Sequence, residues 1–518
     1  MCFMGTETVA DRRNSHKSIL IGPITMHPKV TGVVIYCMSF AILSGATRPV
    51  PGNAPSLPIS GSRIIRVSTE PQLQSAMGGL QSGDTILLAD GVYNLTSTLY
   101  INGRNNVTIR GASGSTNVVL VGMGMDNSTY GNVPFGVWSN GTNTTIAHLT
   151  IRETWDNEII FNQGAQSPLV YCVRLINAGS QFIKSNPTDV TNGIGVNNGT
   201  VEYCWFEYTG SPPNDHGSGV GYFNGISAHA ARNWIVRGNM FKNLHNPDSA
   251  AYLWNPAVLF WRHSVNTVTE QNVFLNVDRA IAYGLDNTTP YFDHAGGVIR
   301  NNFVVLLPGF MSAARKASSD GSLIAWNSPG TQIDHNSVLL NSNEFFAVEF
   351  RFSTTTNCMA RNNLSDAPIH LRDSARATID SNLVTALPGM FANPASGDLH
   401  LLASATNAID KGVTLLSVTN DIDGDRRPRG ASSDIGADEF TANTPPRISN
   451  LRLMGTNVLI SLTTFPGESY DLLRADDLLG STWAIVASNI AGAIGGIQLT
   501  DRASASVTHR LYRGRLSP

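Results

Sequence analysis

The sequence predicts an all-β fold: a right-handed parallel β-helix with an N-terminal capping helix and a small C-terminal β-sandwich. Three observations predict it. Charged residues make up only 14% of the 518 residues, while glycine reaches 48 and proline 25, a balance of many short strands and turns rather than helices. An asparagine recurs in a strand-like context. A short strand motif stands ahead of that asparagine at a nearly constant distance.

The elements follow in chain order. Val30 to Ala46 is an apolar run with Lys29 before it and Ser44-Gly45-Ala46 at its end. A basic flank, an apolar middle and small residues read as a cleaved secretory signal within residues 1–47 rather than a spanning helix, with Met26 as an alternative start. The expectation is a secreted protein, extracellular or periplasmic, with no membrane segment in its mature form. Of five cysteines, Cys2 and Cys37 fall before or within that run. Cys172 and Cys204 sit in similar contexts and are expected as buried thiols in neighbouring coils, with a disulfide as the alternative.

The repeat is carried by Asn239, Asn272, Asn302, Asn336, Asn363 and Asn382, at intervals of 33, 30, 34, 27 and 19 residues. One coil of a β-helix needs roughly 20 residues, and the excess goes into loops on one side. Stacked turns lie about 4.8 Å apart, so an asparagine amide can donate to one neighbour and accept from the other. Asparagine also tolerates the left-handed backbone such turns need. These asparagines are scaffold.

Ahead of each lies a strand: Ile226–His229, Leu259–Arg262, Ile281–Gly284, Leu323–Trp326, Val348–Arg351 and Ile369–Arg372. The spacing is ten residues in the pairs 229/239, 262/272, 326/336 and 372/382. Strand alternation then assigns faces. Leu259, Trp261, Ile281, Tyr283, Val348 and Phe350 are among those expected to point inward. One outward column would run Asn197, His229, Arg262, Gly284, Trp326, Arg351, Arg372, and a second would hold Ser227, Phe260, Ala282, Ile324, Glu349 and His370. On this register a β-helix spans residues 64–440, a linker 441–446, and the alternating segment 447–518 forms the sandwich.

Four further segments carry a resemblance. Gln72 to Tyr93, QLQSAMGGLQSGDTILLADGVY, looks like a capping helix followed by a first strand, and Asn106 to Gly111 resembles the next turn. Asn420-Asp-Ile-Asp-Gly-Asp-Arg-Arg-Pro428 and Asp434 to Phe440 look like a closing segment. With these the chain resembles the pectate-lyase-like superfamily of right-handed parallel β-helices over residues 64–440. That resemblance implies a fold and a polysaccharide ligand; it is silent on the reaction, because this fold hosts many chemistries.

The chemistry is read from the outward columns. A net charge of −3 and a pI near 6.5 argue against a nucleic-acid partner. Cations along a loop-walled groove suit a linear anionic polysaccharide, because arginine binds carboxylates bidentately. For a uronate polymer the economical reaction is β-elimination, which needs a neutralised carboxylate, a base and a proton for the leaving oxygen. His229 and Arg262 are the expected groove floor, with Lys316 as the base. Arg351, Arg372, Trp326, His263, His294 and Arg315 are the expected substrate contacts, and Asp215-His216 occupy another loop. The arrangement resembles polysaccharide lyases of the chondroitinase B and alginate lyase type, which use a lysine and an arginine. The motif set of polygalacturonase-type hydrolases and the WIDH of extracellular pectate lyases are not present. The alternatives are a glycoside hydrolase, drawing on Asp215, Asp286, Asp293 or Glu349, and a non-catalytic glycan-binding surface protein. No cofactor is certain from the sequence. Ca²⁺ is the one ion the sequence leaves open, through the alternating carboxylates Asp421, Asp423 and Asp425, although Ser432 stands where a twelfth-position glutamate would.

Overall fold

A computed structural model of the protein describes residues 34–37, 54–212, 223–246, 256–441, 446–464, 469–476, 482–491, 497–502 and 509–517. The chain divides into two compact units, Ala46–Thr441 and Ala442–Pro518 with Met1–Gly45.

The first unit is a right-handed parallel β-helix. The helix Glu70–Gly78 begins at Thr69, whose side chain accepts from Gln72 N, and carries a proline in its first turn. Its Leu73 is buried in the β-helix core, so it closes the first coil against water. Most coils then have three strands, two of which merge into one in the coils of Thr145–Arg152 and Leu169–Ile176. One belongs to a ten-stranded parallel sheet running from Leu99–Ile101 to Ile369–Arg372, here called the groove sheet. Where the other two are distinct, a tight turn separates them. In the coil that starts with Pro256–Trp261 they are Val268–Glu270 and Val273–Leu275. Phe206, Phe241 and Phe274 stack inside on three successive coils, with centroids 4.5 and 4.8 Å apart. Each coil therefore buries the ring of the last.

The asparagine ladder forms as the sequence predicts. Asn239, Asn272, Asn302, Asn336 and Asn363 each donate Nδ2 to the next Oδ1 at 2.9–3.0 Å, ending at Asn382. The left-handed residue is not the ladder asparagine but the one before it: Gly238, Gln271, Asn301, His335, Asn362 and Ser381 have φ between 52 and 66°. The turn thus separates two tasks, backbone reversal at one position and amide stacking at the next. One coil earlier Cys204 takes the ladder position, its backbone N donating to Asn239 Oδ1 at 2.8 Å. Cys172, Cys204 and Cys358 are buried thiols outside any disulfide.

The groove-sheet register corrects one coil of the expected columns. Trp261, not Arg262, pairs with His229, and Phe260 rather than Leu259 points inward with Tyr283. The turn after this strand has two left-handed residues, Arg262 and His263, where the preceding coil has only Ala230. One inserted residue keeps the ten-residue count from Arg262 to Asn272 while moving Arg262 out of the strand. Asn197 also leaves the column: the strand Ile183–Ser185 pairs with Ile226–Ala228, which sets Asn186 beside His229.

The closing segment, 398–440, lies along the flank of the ladder. Arg427 donates to Glu439 at 2.8 Å with both side chains buried, and Gln271 Nε2 donates to Asp421 O. In the second unit, Arg447–Met454, Asn457–Thr463 and Ile497–Asp501 form one antiparallel sheet. Ser469–Ala475 pairs antiparallel with Ala484–Ala491 and with His509–Leu516, and Val34–Cys37 joins His509–Leu516 in parallel. Val458, Ile460, Leu462, Leu472 and Tyr512 are its buried core. The rest of the expected signal, the linker residues 442–445, and Asp215-His216 lie outside the described residues. Among the described residues no helix is long and apolar enough to cross a membrane.

Candidate functional site

The outward side chains of the groove sheet form two parallel columns. In the first, Tyr100, Trp138, Ile160 and Lys184 stack in register and lead on to Ser227 and Leu259. It ends at Glu349 and His370. In the second, His229 pairs with Trp261, and Trp326 pairs with Arg351 and then Arg372. The functional side chains gather in two clusters on this face.

The first cluster joins three successive coils. Lys184 Nζ lies 3.2 Å from Ser227 Oγ and 3.2 Å from His229 Nε2. Burial pushes the Lys184 amine down to about 8, Asp156 opposing the shift and Arg262 adding to it. Burial, with the Lys184 and Arg262 charges beside it, holds His229 down at about 2. His229 is therefore neutral, Nε2 accepts from Lys184, and the ring proton sits on Nδ1. The His229 ring meets the Trp261 ring edge-on at 5.0 Å, and the Arg262 guanidinium covers Trp261 at 4.6 Å. Trp261 Nε1 and Arg262 Nε are buried donors with no hydrogen-bond partner among the described residues.

Arg262 is positioned by Asp293. The Asp293 carboxyl accepts from Arg262 N at 2.7 Å, Leu285 N at 2.6 Å and Asp286 N at 2.9 Å, and burial raises it to about 6. It thus ties the inserted loop 285–293 to the turn that carries Arg262. Beside that turn, His263 stacks on Tyr291 at 4.7 Å and lines a cavity of ≈ 240 Å³ with Tyr291 and Asn327.

The second cluster surrounds Trp326, which is only 7% exposed. The guanidinium groups of Arg351, Arg372 and Arg279 lie 4.6, 5.6 and 5.8 Å from its ring. Each has an acid: Arg351 pairs with Asp373 at 2.6 Å, Arg372 with Asp320 at 2.8 Å and Glu349 at 2.7 Å, and Arg279 with Asp320. Burial raises Glu349 to about 7. Arg351 and Arg372 are thus neutralised locally, and Trp326 lies beneath them.

Three expected site residues stand elsewhere. His294 is fully buried, bonded to Thr267 and Ser328 at 3.0 Å and stacked on Tyr283, so no polysaccharide reaches it. Arg315 is buried in an ion pair with Asp278. Lys316, on the short helix Ala313–Ala317, donates to Ser342 O at 2.5 Å and lies over Phe345, on the loop leading to the strand Phe346–Arg351. It stands apart from His229 and Arg262, because its helix packs its lysine along the next loop. The lysine that does join them is Lys184. Its coil has Cys204 at the ladder position, so a repeat built on asparagine passes over it; the buried strand pattern around it, Phe182-Ile-Lys-Ser, is the available signal.

Of the carboxylates considered for Ca²⁺, Asp421 is engaged through both oxygens. Asp421 Oδ1 accepts from Asp423 N and Asp425 N, and its Oδ2 from Glu439 N. His400, which lies with Asp423 and Asp438 in a compact group, bonds Asp398 at 2.5 Å and Asp423 at 2.6 Å through its two ring nitrogens. Those two acids hold it protonated, up to about 11, against its burial. A larger cavity of ≈ 460 Å³ lies on the ladder flank between Arg237, Arg300 and the closing segment. Its two arginines are bridged by Glu270 at 2.6 Å each, which leaves little charge for an anionic ligand.

No family model matches the sequence, and no curated protein is similar to it. Solved structures are. The pectate lyase Pel9A is 13% identical over 76% of this chain and 99% of its own, with a TM-score of 0.45. An alginate lyase from Paenibacillus sp. is 12% identical over 63% and 100%, at 0.32. The Streptococcus pneumoniae surface protein and adhesin PfbA is 12% identical over 61% and 92%, at 0.33. These likenesses concern the fold.

Proposed function

We propose that the protein acts on a polysaccharide in the groove at Lys184, His229 and Arg262, and that the reaction is β-elimination within a uronic-acid-containing chain. The observation that carries this reading is a lysine beside a neutral histidine and an arginine, on three successive coils of one outward face. A lysine held near 8 is an amine for a useful part of its population at mildly alkaline pH, which a general base needs.

In this reading Arg262 holds the uronate carboxylate and draws charge from C5. The neutral Lys184 amine takes the C5 proton. The C4–O bond breaks, a C4–C5 double bond forms, and the leaving oxygen takes a proton from the Lys184 ammonium or from water. His229 accepts a hydrogen bond from Lys184 at Nε2, which fixes the direction of the amine, and keeps its Nδ1–H as a donor. The arginine supplies the positive charge for which the sequence left Ca²⁺ open, so no ion is needed.

Glycoside hydrolysis is the second reading, favoured by Glu349 at about 7 beside Asp320, although Arg372 binds both carboxyls. Incubation with polygalacturonate, alginate, chondroitin sulfate, hyaluronan and ulvan separates the readings. A lyase produces the ultraviolet absorbance of an unsaturated uronate. Reducing ends without that absorbance mean hydrolysis, and neither product means binding alone. Secretion remains part of the proposal, since a polymer of this kind meets its enzyme outside the cell.

A further inference from the structure

The two columns continue beyond Lys184, and their chemistry changes. From Ile160 back to Tyr100 neither carries a charged side chain. Trp138 and Tyr100 stack in register in the first column, ring centroids 5.9 Å apart and tilted by 55°, and Tyr100 is 44% exposed. The second column continues through Asn186, Asn162, Asn140 and Asn102, one residue past each strand; Asn140 N, for example, donates to Ile101 O, and Asn162 N to Ser139 O. None of the four is fully buried.

These asparagines differ from the buried ladder. Buried ladder amides meet at 2.9–3.0 Å and are saturated by one another and by the backbone. On the groove face Asn140 Nδ2 reaches Asn102 Oδ1 only at 3.4 Å, and Asn186 Nδ2 reaches Asn162 Oδ1 at 3.5 Å. The Asn140 and Asn162 oxygens are taken by Gly103 N at 2.6 Å and Gln163 N at 2.9 Å, so these long, weak contacts leave the Nδ2 donors of Asn140 and Asn186 available to another partner. An aromatic face flanked by amide N–H donors matches a pyranose, which presents C–H groups from its ring face and hydroxyl oxygens from its rim. A second aromatic pair, Tyr130 and Trp155, stacks at 5.4 Å in the loops that lead into the strands of Trp138 and Ile160.

We propose that these first coils form a stacking platform for uncharged pyranose faces of the same polysaccharide that reacts at Lys184. The proposal rests on the reading of the groove given above. Coils rise about 4.8 Å each, so Tyr100 stands about 14 Å from Lys184, three coils away along the stack. A polymer lying along the stack places residues about two to three sugars from the reacting one on Trp138 and Tyr100. The groove thus has a charged reacting end and a neutral holding end, and it selects a long chain over a short one.

Native electrophoresis of the full chain through gels containing polygalacturonate, alginate, chondroitin sulfate, hyaluronan or ulvan tests this. The polymer that retards the wild type should retard Tyr100→Ala and Trp138→Ala with about threefold to tenfold weaker affinity. Trp138→Phe should retain most of the retardation, and Leu416→Ala, at a position 91% exposed on the closing segment, all of it. Unchanged retardation of both alanine variants overturns the platform and leaves the Lys184 reading standing. Weakened retardation in a protein that forms no unsaturated product supports the platform and overturns the elimination. A wild type retarded by none of the polymers overturns both. Should Trp138→Ala fail to fold, the exposed Tyr100→Ala decides alone.

Discussion

Lys184 owes its chemistry to its neighbours. The strand alternation sends it outward, burial lowers its affinity for a proton, and His229 cannot compete for that proton because its own burial keeps it neutral. Replacement by methionine keeps the stem and removes the amine, so elimination should fall by about a hundredfold or more while the thermal midpoint holds. Arginine at the same place should be equally inactive, since it stays protonated. The rate should rise with pH and level off above about 8, as Lys184 loses its proton; a steady-state pH profile checks this. Sequence reasoning named His229 and Arg262, which the structure brings together, and Lys316, which it places elsewhere. An adjacent basic pair in a loop is conspicuous in sequence, whereas burial on an outward face shows only once the coils are stacked.

At the scale of elements, the ladder was legible because a short amide side chain both donates and accepts at a stacked turn, and asparagine recurs there six times. The groove register was less so. Offsets of ten and eleven residues both close a turn, and the extra left-handed residue at Arg262–His263 has no marker in composition. The ladder also yields a stability prediction. Asn302 Oδ1 accepts from Asn272 N and Nδ2, so Asn302→Ala strands buried donors and should cost about 1–3 kcal/mol in urea unfolding. The Arg315–Asp278 pair is more sensitive. Arg315→Ala leaves a buried carboxylate without its cation and should cost about 3–5 kcal/mol, whereas replacing both partners by apolar residues should cost much less.

For the whole molecule, fold class and coil stacking followed from repeats, while the site required the third dimension twice over: to cancel the charge around Trp326 and to bring Lys184 beside His229. The closing segment adds a pH signature. His400 is raised from 6.5 to about 11 by Asp398 and Asp423, so its contribution to stability is complete below about pH 6.5 and is lost as pH rises through about 11. Urea midpoints between those limits should fall with pH in the wild type and fall less in His400→Gln. The central claim concerns the groove itself, and a crystal structure of Lys184→Met soaked with a uronate oligosaccharide tests it most directly. Electron density should show a carboxylate on Arg262, C5 of that sugar facing position 184, and rings over Trp138 and Tyr100. Density beneath the arginines around Trp326, or in the Arg237–Arg300 cavity with the groove empty, would contradict it.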